Sequence, residues 1–341
     1  MNEYKETVLL SFVLPCYNVE NYIEACLDSV YNCNLPENRF EVLCVNDCSP
    51  DNTQEILELN QKKHSNLKIV MHECNKGLGC ARNTGIREAK GKFLWFVDAD
   101  DFITAPRLGE LLEMVYEQEL DVLCFNYRHV DNNGKERKTF LVFQEMPVQD
   151  GYSFTKTTFG YCGMGCVWRF LYRTEYLKSR KLFFPEKVIW EDYAYTAKAI
   201  LKSDRIAAIP DVLYSYRVTP VSITRTFLRT YYAKGIYDSV LLASQELLSF
   251  SDEIEDEMLR VAFRKMAIHR MNSVGRHLYL SKKEECKKFY QLMKEKRQEI
   301  KGIKCHLNVM NRVLLLPIIG YWITIICFPI YRNIEMYRSK K

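Results

Sequence analysis

The chain has 341 residues, 48% of them hydrophobic, 27% charged and 13% aromatic, a balance that excludes disorder and leaves room for a full α/β domain plus a smaller second unit. A net charge of only +5, with basic residues gathered after Lys282 rather than in a stripe interleaved with aromatics, argues against nucleic acid as a partner and suits an anionic membrane surface better. Thirteen cysteines, odd in number and mostly single within apolar runs, read as small buried hydrophobes of a reducing compartment, and neither His72 with Cys74 and Cys80 nor Cys162 with Cys166 has the paired spacing of a zinc site.

In chain order, Val8 to Leu14 reads as a buried first strand. The acidic Glu3 and Glu6 before it and the lack of a small-residue cleavage site after it oppose a signal peptide. Tyr22, Ile23, Cys26, Leu27 and Val30 share one helical face, with Asn18 where a cap would stand. Phe40 to Val45 predicts the second strand, and Ser49-Pro50-Asp51 opens a second helix, serine as cap and proline at the first helical position. Leu67 to Met71 predicts the third strand. A helix over Leu78, Ala81, Gly85, Ile86 and Ala89 follows, stopped by Gly91, and Lys92 to Val97 is the fourth strand. Such alternation specifies βαβ units and a mainly parallel sheet.

A long helix from Arg107 to Glu119 then leads into a strand over Asp121 to Tyr127, and Asn133-Gly134 marks a hairpin turn. A Gly-rich loop from Gly160 to Gly165, an extended piece from Trp168 to Tyr172 and a helix starting near Glu191 follow. From about Thr226 to Lys301 only helical periodicity with dense charge is present, which divides the chain into a domain over 1–225 and a helical region over 226–341.

The stretch most informative about chemistry is Phe93 to Asp101, five apolar residues and then Asp98, Asp100 and Asp101 at a strand's carboxyl end. Like charges so close repel unless a cation lies among them, and strand ends are where open α/β sheets place ligands. Hard oxygen ligands in small number suit Mg²⁺ or Mn²⁺ bridging a diphosphate; the plainer alternative is that these acids cap the next helix. The segments Asn46-Asp47-Cys48-Ser49-Pro50-Asp51 and Pro15-Cys16-Tyr17-Asn18 put polar groups and a ring on the same sheet edge, fit for a nucleobase. Asn75 to Gly85 resembles a phosphate-binding loop without the GxGxxG or Walker spacing, and Arg82 on its helix is placed to meet a diphosphate.

Together the segments Ser11 to Glu20, Asn46 to Asp51, Asn75 to Arg82 and Asp98-Ala99-Asp100-Asp101 resemble the family 2 glycosyltransferases of the GT-A fold, a Rossmann-like nucleotide-diphospho-sugar transferase domain, over roughly Val8 to Arg225. The resemblance implies an inverting transferase that takes a sugar from a nucleoside diphosphate, most often UDP. It implies that Pro15, Tyr17 and Glu20 line the nucleoside pocket, that Asp47 bonds the base, that Asp98 contacts ribose or metal and that Asp100 ligates the divalent ion. Asn18, Asn75, Gly77, Arg82 and Ala99 complete the donor set. Asn46 and Cys48 depart from the aspartate and glycine common in the family, which leaves the base less defined than the fold.

The family's base lies in a Glu-Asp pair at a helix start, which points to Asp192, with Glu191 beside it. The chemistry asks for a carboxylate there, because an acceptor hydroxyl must lose its proton as it attacks. Helix-favouring acids at an N-terminus are the alternative reading. Trp168, Arg169 and Trp190 are candidates for an acceptor floor, with core packing the alternative for the tryptophans. Arg217 with Ser222 to Arg225 resembles a loop that closes over the diphosphate.

The uncharged run Val313 to Tyr331 is long enough to span a membrane, but Pro317 and Pro329 break it and basic residues flank both ends. A segment lying in the interface is the preferred expectation over a span or a buried helix. The expected whole is therefore a metal-dependent transferase, peripheral at the cytoplasmic face of the inner membrane, that acts on a saccharide or lipid-linked saccharide. An inactive sugar-nucleotide-binding module and a nucleotidyltransferase are the alternatives; the second usually carries a Gly-rich signature after its first strand, where this chain has Pro15-Cys16-Tyr17-Asn18.

Overall fold

Strand β1 (Leu10–Cys16) is buried along its whole length, as a central parallel strand covered on both faces must be. It pairs in parallel with β2 (Phe40–Asn46) on one side and β4 (Phe93–Phe96) on the other, and β2 pairs in parallel with β3 (Leu67–Met71). In this computed structural model the described residues are 8–158, 165–186, 188, 190–218 and 236–275.

The crossovers of this half are α1 (Ile23–Tyr31), α2 (Thr53–Lys63) and α3 (Leu78–Glu88). Beyond β4 come β5 (Phe102–Ile103), α4 (Leu108–Glu117), β6 (Val122–Val130), β7 (Glu136–Phe140), β8 (Met146–Gln149), α5 (Gly151–Thr158), β9 (Phe170–Arg173), α6 (Thr174–Ser179), α7 (Asp192–Leu201) and β10 (Ile206–Arg217). One sheet runs β3-β2-β1-β4-β9-β6-β10-β5, with β7 beside β6 and β8 beside β10. Strand β9 is antiparallel to both β4 and β6, and β10 returns parallel to β6.

Alternation along β1 splits the core. Leu10, Phe12, Leu14 and Cys16 meet α1, α2 and α4 on one face, while Val13 meets α3, with the side chains of α5, α6 and α7 in the same core layer. The result is a sheet covered on both faces by helices, the architecture expected of βαβ units.

Three helix boundaries differ from the sequence expectation, each for a tertiary reason. Asn18 is no cap; it sits at φ 55°, and α1 starts at Ile23. Helix α2 starts at Thr53 rather than Pro50, because Ser49 Oγ accepts the Asn18 N–H and the Asp51 carboxylate accepts those of Glu20 and Thr53. Helix α3 ends at Glu88. Gly91, expected to stop it, instead donates its N–H to Ser11 Oγ on β1 at 2.9 Å.

The chain divides into two compact units, Met1–Lys187 with Glu191–Thr219, and Val188–Trp190 with Pro220–Lys341. In the second, α8 (Ile236–Asp252) packs on α9 (Glu257–Gly275), with Phe250 edge-on to Phe263 at 5.7 Å. No helix among the described residues is long and apolar enough to cross a membrane. The run 313–331 and the segment 222–225 lie outside the described residues.

Candidate active site

The order β2-β1-β4 reverses direction at β1, so the carboxyl ends of β1, β2 and β4 open onto a topological switch point, where open α/β sheets bind ligands. Pro15, near the end of β1, is buried, while Tyr17, just after the strand, is 48% exposed, its ring open for stacking. The β1 and β2 loops are knotted together: Glu20 Oε2 accepts the Asn52 backbone and side-chain N–H groups at 3.0 and 2.9 Å. Glu20, expected in the nucleoside pocket, thus has one oxygen committed to holding the adjoining loop.

Asp47 is buried and its carboxylate is largely used inside the chain. It accepts the N–H groups of Lys76 at 2.9 Å and Gly77 at 2.7 Å, and it faces His72 Nδ1 at 2.6 Å. The turn Asn75-Lys76-Gly77, with Gly77 at φ 92°, is thereby fixed to the end of β2.

Arg82 stands one turn into α3 and is 2% exposed. Its Nη2 donates to Asp98 Oδ1 at 2.7 Å, and its Nη1 donates to Glu191 Oε1 at the start of α7. Phe184, Pro185 and Glu191 can lie this close because residue 79 has no Cβ: one there would sit 2.7 Å from the Pro185 carbonyl oxygen and 3.4 Å from Glu191 Cγ. Asn83 clamps the same segment, donating to the Phe184 carbonyl at 2.9 Å and accepting its N–H at 2.7 Å. Burial works against the Arg82 charge, but Asp98, Glu191 and Asp192 outweigh it and raise its pKa. Burial raises the Glu191 pKa too, against the pull of Arg82. Glu191 is 4% exposed and bound to Arg82, whereas Asp192 is half-buried on the next position.

The three carboxylates after β4 separate. Asp101 turns inward, accepting the Tyr214 hydroxyl and the Arg217 N–H, each at 2.7 Å, and burial with the charges of Asp100 and Asp98 drives its pKa well up. Asp98 and Asp100, the two acids expected to hold a cation, remain apart from this pairing, with Ala99 buried between them. Burial, and then the Asp98 charge, push the Asp100 carboxyl up to about 6, against a smaller opposing pull from Arg217. Asp98 keeps one oxygen beyond its Arg82 bond. Among the described residues no three ligating side chains cluster; two hard oxygen donors such as Asp98 and Asp100 would suit an Mg²⁺ or Mn²⁺ ion that takes its other ligands from phosphate and water.

Of the three residues expected at an acceptor floor, Trp168 and Arg169 are buried and Trp190 is half-buried. Trp168 is 5% exposed and stacks on Tyr214 at 4.2 Å, inside the core. Arg169 is buried with its guanidinium over the rings of Tyr127 and Phe143. Trp190 is half-buried at φ 63°. Arg217 is buried against Phe102 and Tyr22, 4.0 and 5.0 Å from their ring centres. Sequence reasoning missed Tyr214, and gave no role of their own to Asn83 and Thr84 within the segment Asn75 to Gly85; the partners of Tyr214 and Asn83 lie far away in the chain.

This sheet order, with its acids and buried arginine at the switch point, defines a GT-A domain. The chain belongs to glycosyl transferase family 2, whose model matches residues 11–180. It is 32% identical to the UDP-Glc:alpha-D-GlcNAc-diphosphoundecaprenol beta-1,3-glucosyltransferase WfgD of Escherichia coli, over 63% of this chain and 79% of that one. It is 32% identical to the uncharacterized glycosyltransferase EpsJ of Bacillus subtilis, over 63% of each chain. The Staphylococcus aureus poly(ribitol-phosphate) beta-N-acetylglucosaminyltransferase TarS is 33% identical over 60% of this chain, which spans only 35% of its length. The crystal structure of TarS 1–349 in complex with UDP-GlcNAc superposes with a TM-score of 0.70 at 26% identity, covering 98% of this chain and 92% of that one.

Proposed function

We propose that the protein transfers a sugar, with inversion, from a UDP-sugar to a hydroxyl of a saccharide or lipid-linked saccharide in surface glycan synthesis. The observation that carries the reading is Arg82, which ties Asp98, at the donor edge of the sheet, to Glu191, beside the candidate base. A buried arginine satisfied by two acids from distant segments holds a donor-binding and a proton-accepting group in one frame. The UDP-GlcNAc bound by TarS and the UDP-Glc named for WfgD support a UDP-linked donor, and the diphosphoundecaprenol named for WfgD supports a lipid-linked acceptor.

In this reading Asp192 accepts the proton of the acceptor hydroxyl as its oxygen attacks the anomeric carbon. The bond from that carbon to the diphosphate oxygen breaks, and the nucleoside diphosphate leaves with the electron pair. Glu191 is held by Arg82 and so leaves the base role to its neighbour. Asp98 and Asp100 would hold a divalent cation, which supplies charge neutralisation of the leaving diphosphate when bound. Tyr17 stacks on the base, and Arg82 keeps Asp98 oriented.

The C-terminal region, with its apolar run 313–331 and flanking basic residues, supports peripheral contact with the cytoplasmic face of the inner membrane. Sedimentation of the full chain with anionic vesicles, against neutral ones, tests that contact. The enzymatic reading is tested by a panel of UDP- and GDP-sugars with Mn²⁺, scored for thermal stabilisation and for donor turnover. A UDP-sugar is expected to stabilise the protein and to be consumed. Stabilisation without turnover in the presence of acceptor glycolipids would show an inactive binding module, and no stabilisation by any sugar nucleotide would sink the donor reading.

A further inference from the structure

His72, at the end of β3, is 7% exposed and lies between two side chains. Its Nδ1 is 2.6 Å from Asp47 Oδ1, and its Nε2 is 2.9 Å from Thr84 Oγ1 on α3. The 2.6 Å contact with the Asp47 carboxylate places a ring hydrogen on Nδ1, and Nε2 shares a second hydrogen bond with the Thr84 hydroxyl, so both ring nitrogens are held. Asp47 in turn accepts the N–H groups of Lys76 and Gly77. Of the roughly four acceptor directions a carboxylate has, three are filled and one remains on Oδ2. The relay Thr84, His72, Asp47, Gly77 thus runs from α3 through the ends of β3 and β2 to the turn that opens α3.

We propose that His72 is a positioning residue for nucleobase recognition. It fixes the rotamer of Asp47, and through Asp47 the turn 75–77, so that the last acceptor direction of Oδ2 stands ready for an N–H on the base. The proposal rests on the reading above that the donor's base sits at this edge. Burial alone does not explain the arrangement, because an apolar side chain fills the same space without orienting a carboxylate from which two backbone N–H groups hang. An acceptor at Oδ2 favours a base edge that presents an N–H, as uracil does at N3, over one that presents a lone pair, as cytosine does there.

The test is isothermal titration of the full chain with UDP and with CDP in the presence of Mn²⁺. His72→Asn keeps a side-chain N–H near the position of Nδ1, and His72→Gln moves it to the position of Nε2, which leaves Asp47 Oδ1 without its side-chain donor. The Asn variant is expected to keep UDP affinity within about threefold and to keep the preference for UDP over CDP. The Gln variant is expected to lose about tenfold in UDP affinity, the scale of one hydrogen bond to a charged group, together with most of that preference. Wild-type UDP affinity and preference in the Gln variant overturn the proposal. Asp47→Asn is titrated alongside. If it binds UDP as the wild type does, the base is not read at this edge and the proposal falls with that reading; if it alone loses binding, only the role of His72 falls. Should His72→Gln fail to fold, Thr84→Val decides: it removes the hydrogen bond that holds the far side of the ring, so the ring no longer pins Asp47; a loss of preference supports the relay and an unchanged preference overturns it.

Discussion

The parallel half of the sheet, β1 to β4, and the mixed half, β5 to β10, both carry acids at strand ends, and they use them in opposite ways. In the parallel half Asp98 and Asp100 sit at the carboxyl end of β4, with Asp98 shared with Arg82 and Asp100 raised in pKa to about 6, by burial first. In the mixed half Asp121, just before β6, is fully buried and saturated: it accepts the N–H groups of Asp204 at 2.8 Å and Arg205 at 3.1 Å, and pairs with Arg173. Asp101, at the seam, follows Asp121 and is consumed by Tyr214 and Arg217. A carboxylate at a strand end is therefore not a site by virtue of its position. Its partners decide whether it joins neighbouring strands or stays available to a ligand.

The sharpest way to break this comparison is at the base, where the largest effect is expected. Asp192→Asn keeps shape but cannot accept a proton, so transfer should fall by about 10²–10⁴-fold while UDP binding stays near wild type. Glu191→Gln is the control, and if it alone abolishes transfer the base assignment moves by one residue. The second effect separates the two kinds of acid directly. Asp100→Ala should weaken metal-dependent UDP binding, measured by titration with and without chelator, and leave the melting temperature almost unchanged. Asp121→Ala should do the reverse, leaving UDP affinity intact and costing about 1–3 kcal/mol for orphaned donors, read by urea unfolding.

Two smaller effects sharpen the contrast in packing. Helix α3 lies on β1 so closely that a Cβ at Gly85 would sit 2.1 Å from Val13 Cγ1. Gly85→Ala should therefore destabilise by about 1–3 kcal/mol through overpacking, and an unshifted melting curve would falsify the close-approach account. Tyr214→Phe removes a hydroxyl that accepts the Asp98 N–H at 3.1 Å and donates to Asp101 at 2.7 Å. The expected cost is about 1 kcal/mol, with a fall in donor affinity smaller than that of Asp100→Ala.

Much of the parallel half was legible beforehand. Its third strand covers Leu67–Met71 as the apolar run predicts, and the others fall within two residues of expectation, because β1, β2 and β3 pair in turn through single crossover helices and β4 returns beside β1. The mixed half was legible only in pieces. The hairpin at Asn133-Gly134 was readable, since Gly134 takes φ 78° in the turn, and so was the helix at Asp192. Strand β10 was not, although it joins β5, β6 and β8; Pro210 within it and the irregular register toward β6 obscure any alternating pattern.

For the site the division has a physical cause. Local sequence determined which residue types stand where strands end: the acids after β4, the acids opening α7, the turn before α3 and the exposed ring of Tyr17. These are features of chain punctuation, and punctuation acts over a few residues. Tertiary structure alone decided what each of them touches. It turned Asp101 inward to Tyr214, sank Trp168 into the core, gave Arg82 to Asp98 and Glu191 at once, and closed Asp47 against His72. Buried polar groups must find partners wherever the fold brings them. Here most of those partners lie tens of residues away, beyond the reach of any motif.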